Sequence, residues 1–546
     1  MKPFLLFTLA LFVPLSCGRA HSPQGPNVVL ISIDSIRADH LGPYGRRPSY
    51  APDIAYTPAM DALALEGVTF DQAWSTSSWT LPAHMALMTG LTDLSHGVID
   101  DSFRRDPLHQ TLARVFVDAG YATGGFFSGP YLDPKYGFSE GFQEYESGMM
   151  SSSEIAKSIQ HWVEKRKIQG GQEPSFSEIK AIRDRASHWD ITSPRINRLA
   201  KSFIKRNSDQ PFFLFAHYFD AHYDHIPDAA EPGLGKVFDP QYAGSMTAEN
   251  WYFSPLVRQT SPPFRRRISE RDLGHVEALY DAEIHWVDRH LGELFETLKQ
   301  QGLWDNTIVA LVTDHGDEFF DHGSIGHRST LYQELLKTAL IIRVPQNLGA
   351  GSRAKETVSI YDVAPTLLDL AGMDQLPHAE GRSLSGILRG ESVPERGSFG
   401  FIFTGTATGT SIQESFRFGN TTVIRSFEID LKRSNQAGIA LKQRLSPKNG
   451  LSAEIYLRDS DPLELRPIDK SHPQFELAMA NFGKAFAASA LTRQKIPHSP
   501  LSQRYAPQLT DEELATLAEL GYASRAGDDA ERVKTPPLRP LPAPHE

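Results

Sequence analysis

The run Asn27-Val-Val-Leu-Ile-Ser-Ile-Asp34 is apolar almost throughout and ends in a carboxylate. Its length and branched residues predict a buried parallel strand. Phe212 to Tyr218, Thr307 to Thr313 and Thr338 to Val344 read the same way. Helical spacing lies between these runs, over Pro58 to Glu66, Leu108 to Ala119 and Ala278 to Gln300. Strands alternating with helices predict an α/β fold, a mostly parallel central sheet flanked by helices. Ligands of such sheets bind beyond the carboxyl ends of the strands. Asp34 and Asp314 fall at those ends, and His217 and Asp220 close another strand. From about Ser398 the pattern changes to short β-like runs, Phe399 to Phe403, Thr421 to Phe427 and Ile455 to Leu457. They predict a smaller C-terminal antiparallel sheet closing near Asp461-Pro462. Polar stretches at 145–200 and 225–275 read as insertions that would wall a site.

The N-terminus breaks this pattern. Lys2 precedes a nearly unbroken apolar run from Phe4 to Leu15, then Ser16-Cys17-Gly18. These are the parts of an export signal, and the run is shorter than the ~20 residues of a membrane span. Cys17 is the only cysteine. It would be either a lipid attachment point, placing the protein in the periplasm or cell envelope, or an incidental residue of a cleaved signal. The mature body then has no internal disulfide, and its stability rests on core burial. The expected division is a signal over 1–20, a catalytic domain over 26–395 and an α+β subdomain over 396–490. A helical extension over 491–525 and a disordered tail over 526–546 would follow. A net charge of −11 without a long basic run argues against nucleic acid as a partner. An anionic substrate would need a local cationic centre, such as a metal.

Asp314-His315-Gly316-Asp317 follows a predicted strand, with His322-Gly323 and Gly326-His327 downstream. A carboxylate and an imidazole at a strand end suit a metal, although a polar capping loop would look the same. Asp34, at a second strand end, favours the metal. Thr80-Leu-Pro-Ala-His84 opens a helix that Gly90 would close. Thr80 would be its N-cap, or a hydroxyl presented to an anionic ester at the helix N-terminus. His217 to His225 packs three imidazoles and two carboxylates into nine residues. They would protonate a leaving group, bind anionic oxygens, hold a second metal, or form an ordinary surface loop.

With these motifs in order, residues 26–525 resemble the sulfatases of the alkaline phosphatase superfamily. Asn27 to Gly45, Thr57 to Ala73, Thr80 to Gly90, His217 to His222 and Tyr280 to Asp317 carry the likeness. So do Ser359 to Gly372, Gly381 to Leu384 and Glu454 to Glu464. The resemblance implies one divalent ion (Ca²⁺, Mg²⁺, Mn²⁺ or Zn²⁺) held by Asp34, Thr80, Asp314 and His315. It implies Thr80 as nucleophile and His222 and His327 as catalytic partners. Arg37, His84, His217 and Asp220 become substrate-binding candidates. Asp220, His222, His225 and His327 leave room for a second ion.

The departures refine this expectation. The formylglycine of most sulfatases arises from Cys or Ser followed by Pro and Arg. Here Thr80 and His84 hold those positions, so no formylglycine is expected. Ser35 replaces a usual Asp, and Phe127-Ser-Gly-Pro130 lacks the usual Lys and His. A Thr ester of phosphorus can be released by water, whereas sulfate release in sulfatases uses the aldehyde. The sequence therefore predicts a sulfatase-like ester hydrolase favouring phosphate or phosphonate esters. Its substrate would be a small-molecule, glycan or lipid anionic ester. The alternatives are an envelope phosphotransferase acting on lipid or glycan headgroups, and a non-catalytic binding protein retaining the fold.

Overall fold

A computed structural model describes residues 25–149, 192–222, 225–246, 268–406, 409–429 and 452–507, with six further positions between 157 and 167. The expected signal, Cys17 and the expected C-terminal tail lie outside the described residues. So do much of both expected insertions.

The central sheet has eight strands. Their order is Ser352–Ala354, Val68–Phe70, Leu340–Arg343, Thr307–Thr313, Asn27–Ile33, Phe212–Tyr218, Ala122–Phe127 and Glu144–Ser147. Five of the seven neighbouring pairs are parallel; only Leu340–Arg343 runs against its neighbours. The alternation within strands explains the continuous apolar runs. Val28 and Leu30 enter one core with Phe213, Phe215, Ile308 and Val312, while Val29, Ile31 and Ile33 enter the other with Leu214, Val309 and Leu311. Both faces are covered, so both sets must be apolar.

The predicted Pro58–Glu66 helix forms over those residues, and the long helix begins earlier than expected, spanning Glu270–Gln300. Ser269 caps it by accepting the Asp272 N–H. The helix expected from Leu108 starts at Leu112, because Thr111 is its N-cap. Part of the first expected insertion is an element of the fold itself. Ser193–Arg206 is a helix whose Ile196, Ala200, Phe203 and Ile204 face the second core.

The C-terminal sheet has four antiparallel strands, Ser398–Thr406, Gly409–Phe418, Thr421–Ile429 and Ser452–Leu457. Helix Phe475–Arg493 packs on it through Phe475, Ala478 and Phe482. The Gly409–Phe418 strand had not been expected. The consecutive Gln413, Glu414 and Ser415 break the apolar signal, while Ile412 and Phe416 are buried. Asp461 ends the sheet by accepting the Leu465 and Arg466 N–H groups. Among the described residues, no helix is long and apolar enough to cross a membrane.

Candidate active site and metal centre

Three adjacent central strands end within reach of one helix N-terminus. Asp34 follows Asn27–Ile33, Asp314 follows Thr307–Thr313, and His217 lies near the end of Phe212–Tyr218. Every residue of helix Thr80–Thr89 is buried, which suits a sequence that is mostly apolar around its circumference. Gly90 ends it at φ 67°, in the left-handed region that glycine adopts without penalty. Trp79, not Thr80, occupies the N-cap, and it makes no side-chain cap bond. The Thr80 hydroxyl instead donates to Asp34 Oδ2 at 3.2 Å and lies 3.5 Å from His315 Nε2.

The turn after Asp34 is held tightly. Ser35 sits at φ 55°, a strained conformation for a residue with a side chain. Its N–H donates to Asp314 Oδ1 at 3.1 Å and its hydroxyl to Asp34 Oδ1 at 2.7 Å. Tyr280 of the long helix clasps the turn, donating to Ser35 O and accepting from the Arg37 N–H. Where the family would place a carboxylate, Ser35 thus orients two others.

These residues fit a divalent ion. One ligand atom each from Asp34, Asp314 and His315 lie within 4.8 Å of one another, all buried. His315 Nδ1 hydrogen-bonds to Gly316 O at 3.0 Å, so Nδ1 carries the proton and Nε2 is left as a lone pair. That Nε2 faces Asp314 Oδ2 at 3.4 Å and Asp34 Oδ1 at 3.8 Å, and Asp314 Oδ2 has no hydrogen-bond partner. Two carboxylates and a nitrogen lone pair converging in a dry site repel one another unless a cation joins them. The titration behaviour agrees. Burial, then the Asp34 charge, pushes Asp314 well above the usual carboxylate range. Burial opposes ionisation of Asp34 too, but His217, His222 and His315 outweigh it and hold its pKa well down.

On the loop side, His222 stacks on Phe219 at 4.3 Å between ring centroids, and His327 lies 5.0 Å from His222 and 4.6 Å from His315. His327 Nδ1 meets Asp317 Oδ1 at 2.6 Å. This carboxylate fixes the orientation of the imidazole. Asp317 was visible in Asp-His-Gly-Asp, but nothing in the spacing showed that it would reach ten residues on to His327.

The four residues expected to bind substrate have other partners. His84 Nε2 bonds Ser32 Oγ at 2.8 Å and Nδ1 bonds Thr80 O at 2.9 Å, so both nitrogens are occupied. Burial, then His217, lowers its pKa to about 3, and the ring is neutral. His217 approaches Asp34 Oδ2 at 3.4 Å, on the sheet side of the carboxylate. Arg37 pairs with Asp39 and Asp321 at 2.8 and 2.7 Å. Asp220 accepts from Thr192 Oγ1, the Ser193 N–H and Trp286 Nε1, fastening the start of a neighbouring helix. Short polar residues in a loop carry no sequence mark distinguishing such a cap from a ligand. His225, expected as one ligand of a second ion, pairs with Glu283 at 3.0 Å.

No sequence motif marks Arg328 as a site residue. Its guanidinium lies 4.0 Å from the Trp79 ring centroid and donates to Tyr131 Oη at 2.8 Å, and its N–H donates to Ser78 O. It places a cation on the wall beside Thr80, where the end of the Ala122–Phe127 strand offers none.

Known proteins match this chain over most of its length. The family model described as Sulfatase matches residues 26–373. The multifunctional alkaline phosphatase superfamily protein PehA of Trinickia caryophylli is 26% identical over 397 residues, covering 66% of this chain and 76% of its own length. The N-acetylglucosamine-6-O-sulfatase of Bacteroides thetaiotaomicron is 24% identical over 457 residues, covering 71% and 75%. Among solved structures, the phosphonate monoester hydrolase of Silicibacter pomeroyi superposes with a TM-score of 0.62 at 19% identity, over 86% of this chain and 96% of its own.

Proposed function

We propose that this chain, which belongs to the sulfatase family, cleaves phosphate or phosphonate esters with Thr80 as its nucleophile. The coarser activity is that of a metal-coordinating hydrolase of sulfate- or phosphate-type esters. The observation that carries the finer reading is the Thr80 hydroxyl, 3.2 Å from Asp34 and 3.5 Å from His315 at the N-terminus of a buried helix.

Asp34, Asp314, His315 and Thr80 would hold the divalent ion, which when bound polarises an ester oxygen and lowers the pKa of a nearby hydroxyl. Asp34 Oδ2 already accepts the Thr80 proton in a hydrogen bond, so it is placed to take that proton as Oγ1 attacks. The helix N-terminus presents positive charge to the anionic ester. Attack forms the Thr Oγ1–P bond and breaks the bond from phosphorus to the leaving oxygen. His327, oriented by Asp317, or His222 beside it, supplies a proton to that oxygen. Water then attacks phosphorus, giving a proton to the imidazole that supplied one, and the Thr80 oxygen leaves, taking its proton back from Asp34. A threonine ester has no aldehyde to collapse into, which supports phosphorus over sulfur. Lys2 and the apolar run after it support export to the periplasm or cell envelope, with Cys17 as a lipid anchor.

The test assays nitrophenyl phosphate, bis-nitrophenyl phosphate, a phosphonate monoester and nitrophenyl sulfate with Mg²⁺, Mn²⁺, Zn²⁺ and Ca²⁺ in turn. Thr80-dependent phosphoester turnover well above sulfate turnover supports the reading. Sulfate turnover surviving Thr80→Ala overturns the nucleophile.

A further inference from the structure

A second histidine–carboxylate cluster lies where the ester chemistry does not use it. Asp106 and His109 stand on the loop before helix Leu112–Asp118, and His498 on the segment after helix Phe475–Arg493. One ligand atom from each lies within 4.8 Å of the other two. Asp106 is fully buried and His109 is 4% exposed.

The protonation pattern is that of a ligand set. His109 Nε2 bonds Pro497 O at 3.1 Å. A carbonyl only accepts, so Nε2 carries the proton and Nδ1 keeps a lone pair. That Nδ1 is buried and has no hydrogen-bond partner. An imidazole that donates one nitrogen to a carbonyl while the other stays bare is in the tautomer a metal requires. Asp106 is oriented in turn. It accepts the Leu108 N–H on Oδ1 at 3.0 Å and the Ser499 N–H on Oδ2 at 2.9 Å, and Oδ2 faces His498 Nδ1 at 3.4 Å.

We propose that Asp106, His109 and His498 bind a second divalent ion, of the zinc, cobalt or nickel class, that fastens the C-terminal segment to the catalytic domain. Two imidazoles and one carboxylate favour these ions over the oxygen-seeking Ca²⁺ and Mg²⁺. The His498 side chain is 30% exposed, which leaves an entry path and room for water as a fourth ligand. The joined segments also meet through the Arg104 N–H to Arg504 O and the Ala506 N–H to Ser102 O, with Phe103 stacked on Tyr505. The same loop carries Asp101, 3.6 Å from Arg328 on the wall of the active site. Arg504 Nε lies 3.6 Å from Asp106 Oδ2 and shares its charge, so Arg504→Gln tightens binding.

Asp314→Asn isolates this site by emptying the first. After zinc loading and desalting, elemental analysis is expected to find two ions per wild-type chain and one in Asp314→Asn. One is also expected in His498→Ala, and none in the double variant. Zinc is expected to raise the unfolding temperature of Asp314→Asn but not of the double variant. His498 is exposed, so its removal does not threaten folding. An unchanged zinc count in His498→Ala, or a zinc-insensitive Asp314→Asn, overturns the proposal. Neither result bears on Thr80, whose failure would show as turnover surviving Thr80→Ala.

Discussion

On the sheet side of Thr80, His84 is wedged between strand and helix with both nitrogens bonded, and His217 is wholly buried against Asp34. On the loop side, His222, His315 and His327 meet ring to ring, and Asp317 tethers His327. The first group sets the position and charge around Thr80 and Asp34, the proposed nucleophile and metal ligand. The second lies on the side where the proposed ester would bind. Burial holds His84 at about 3 and His315 at about 4, so these two rings rest neutral. His322, farther along the same loop, shows what reverses this. Burial lowers its pKa, but the Glu334 carboxylate at 2.8 Å outweighs it and raises it to about 9.

The largest expected effect removes a carboxylate at the strand ends, where the sheet side holds its charge. Asp314→Asn is expected to lower kcat/KM by at least ~10³-fold with loss of bound metal, since one charge and one ligand go together. Elemental analysis beside the phosphoester assay checks both, and full metal with full activity would place the ion elsewhere. Next comes the loop side. Asp317→Asn frees the His327 ring and is expected to cost about 10²-fold in kcat with metal content unchanged. The loss is expected to grow with the pKa of the leaving alcohol. A loss independent of leaving group would remove His327 from proton donation.

Smaller is His84→Gln. Gln keeps one donor for Thr80 O but loses the Ser32 bond, and about tenfold in kcat is expected from a loosened helix start. Equal activity would mean that the backbone alone sets Thr80. The smallest effect is on stability. The His322 pKa lies above its unfolded value, so its contribution is complete below about 6.5 and is lost as pH rises through about 9. After allowance for solvent screening, this amounts to about 1–2 kcal/mol. Denaturant unfolding at pH 6 and 9.5 measures it, and His322→Gln is expected to flatten the difference.

Much of the site was legible in the chain because strand ends announce themselves. A carboxylate after a buried apolar run has few places to go but the ligand side of an α/β sheet, and Asp34 and Asp314 lie there. The Thr80 helix was equally readable, since Gly90 fixes its end and a mostly apolar stretch suits its burial. The polar loops were not. Asp220 and Arg37 carry the residue types of a binding site, yet one fastens a helix and the other joins two carboxylates. Asp317 and Arg328, unassigned from spacing, stand at the site.

Sequence alone determined the strand order of chemistry, the absence of a formylglycine precursor at Thr80, and the two-sided burial of the sheet, because each follows from local residue type and period. Only the tertiary structure decided which imidazole nitrogen is protonated, which carboxylate is shared and which is spent on a backbone N–H. Those outcomes depend on partners up to several hundred residues away, such as Pro497 for His109 and Asp314 for Ser35. A buried polar group takes whatever partner the fold brings within hydrogen-bond distance, and no local pattern encodes that distance.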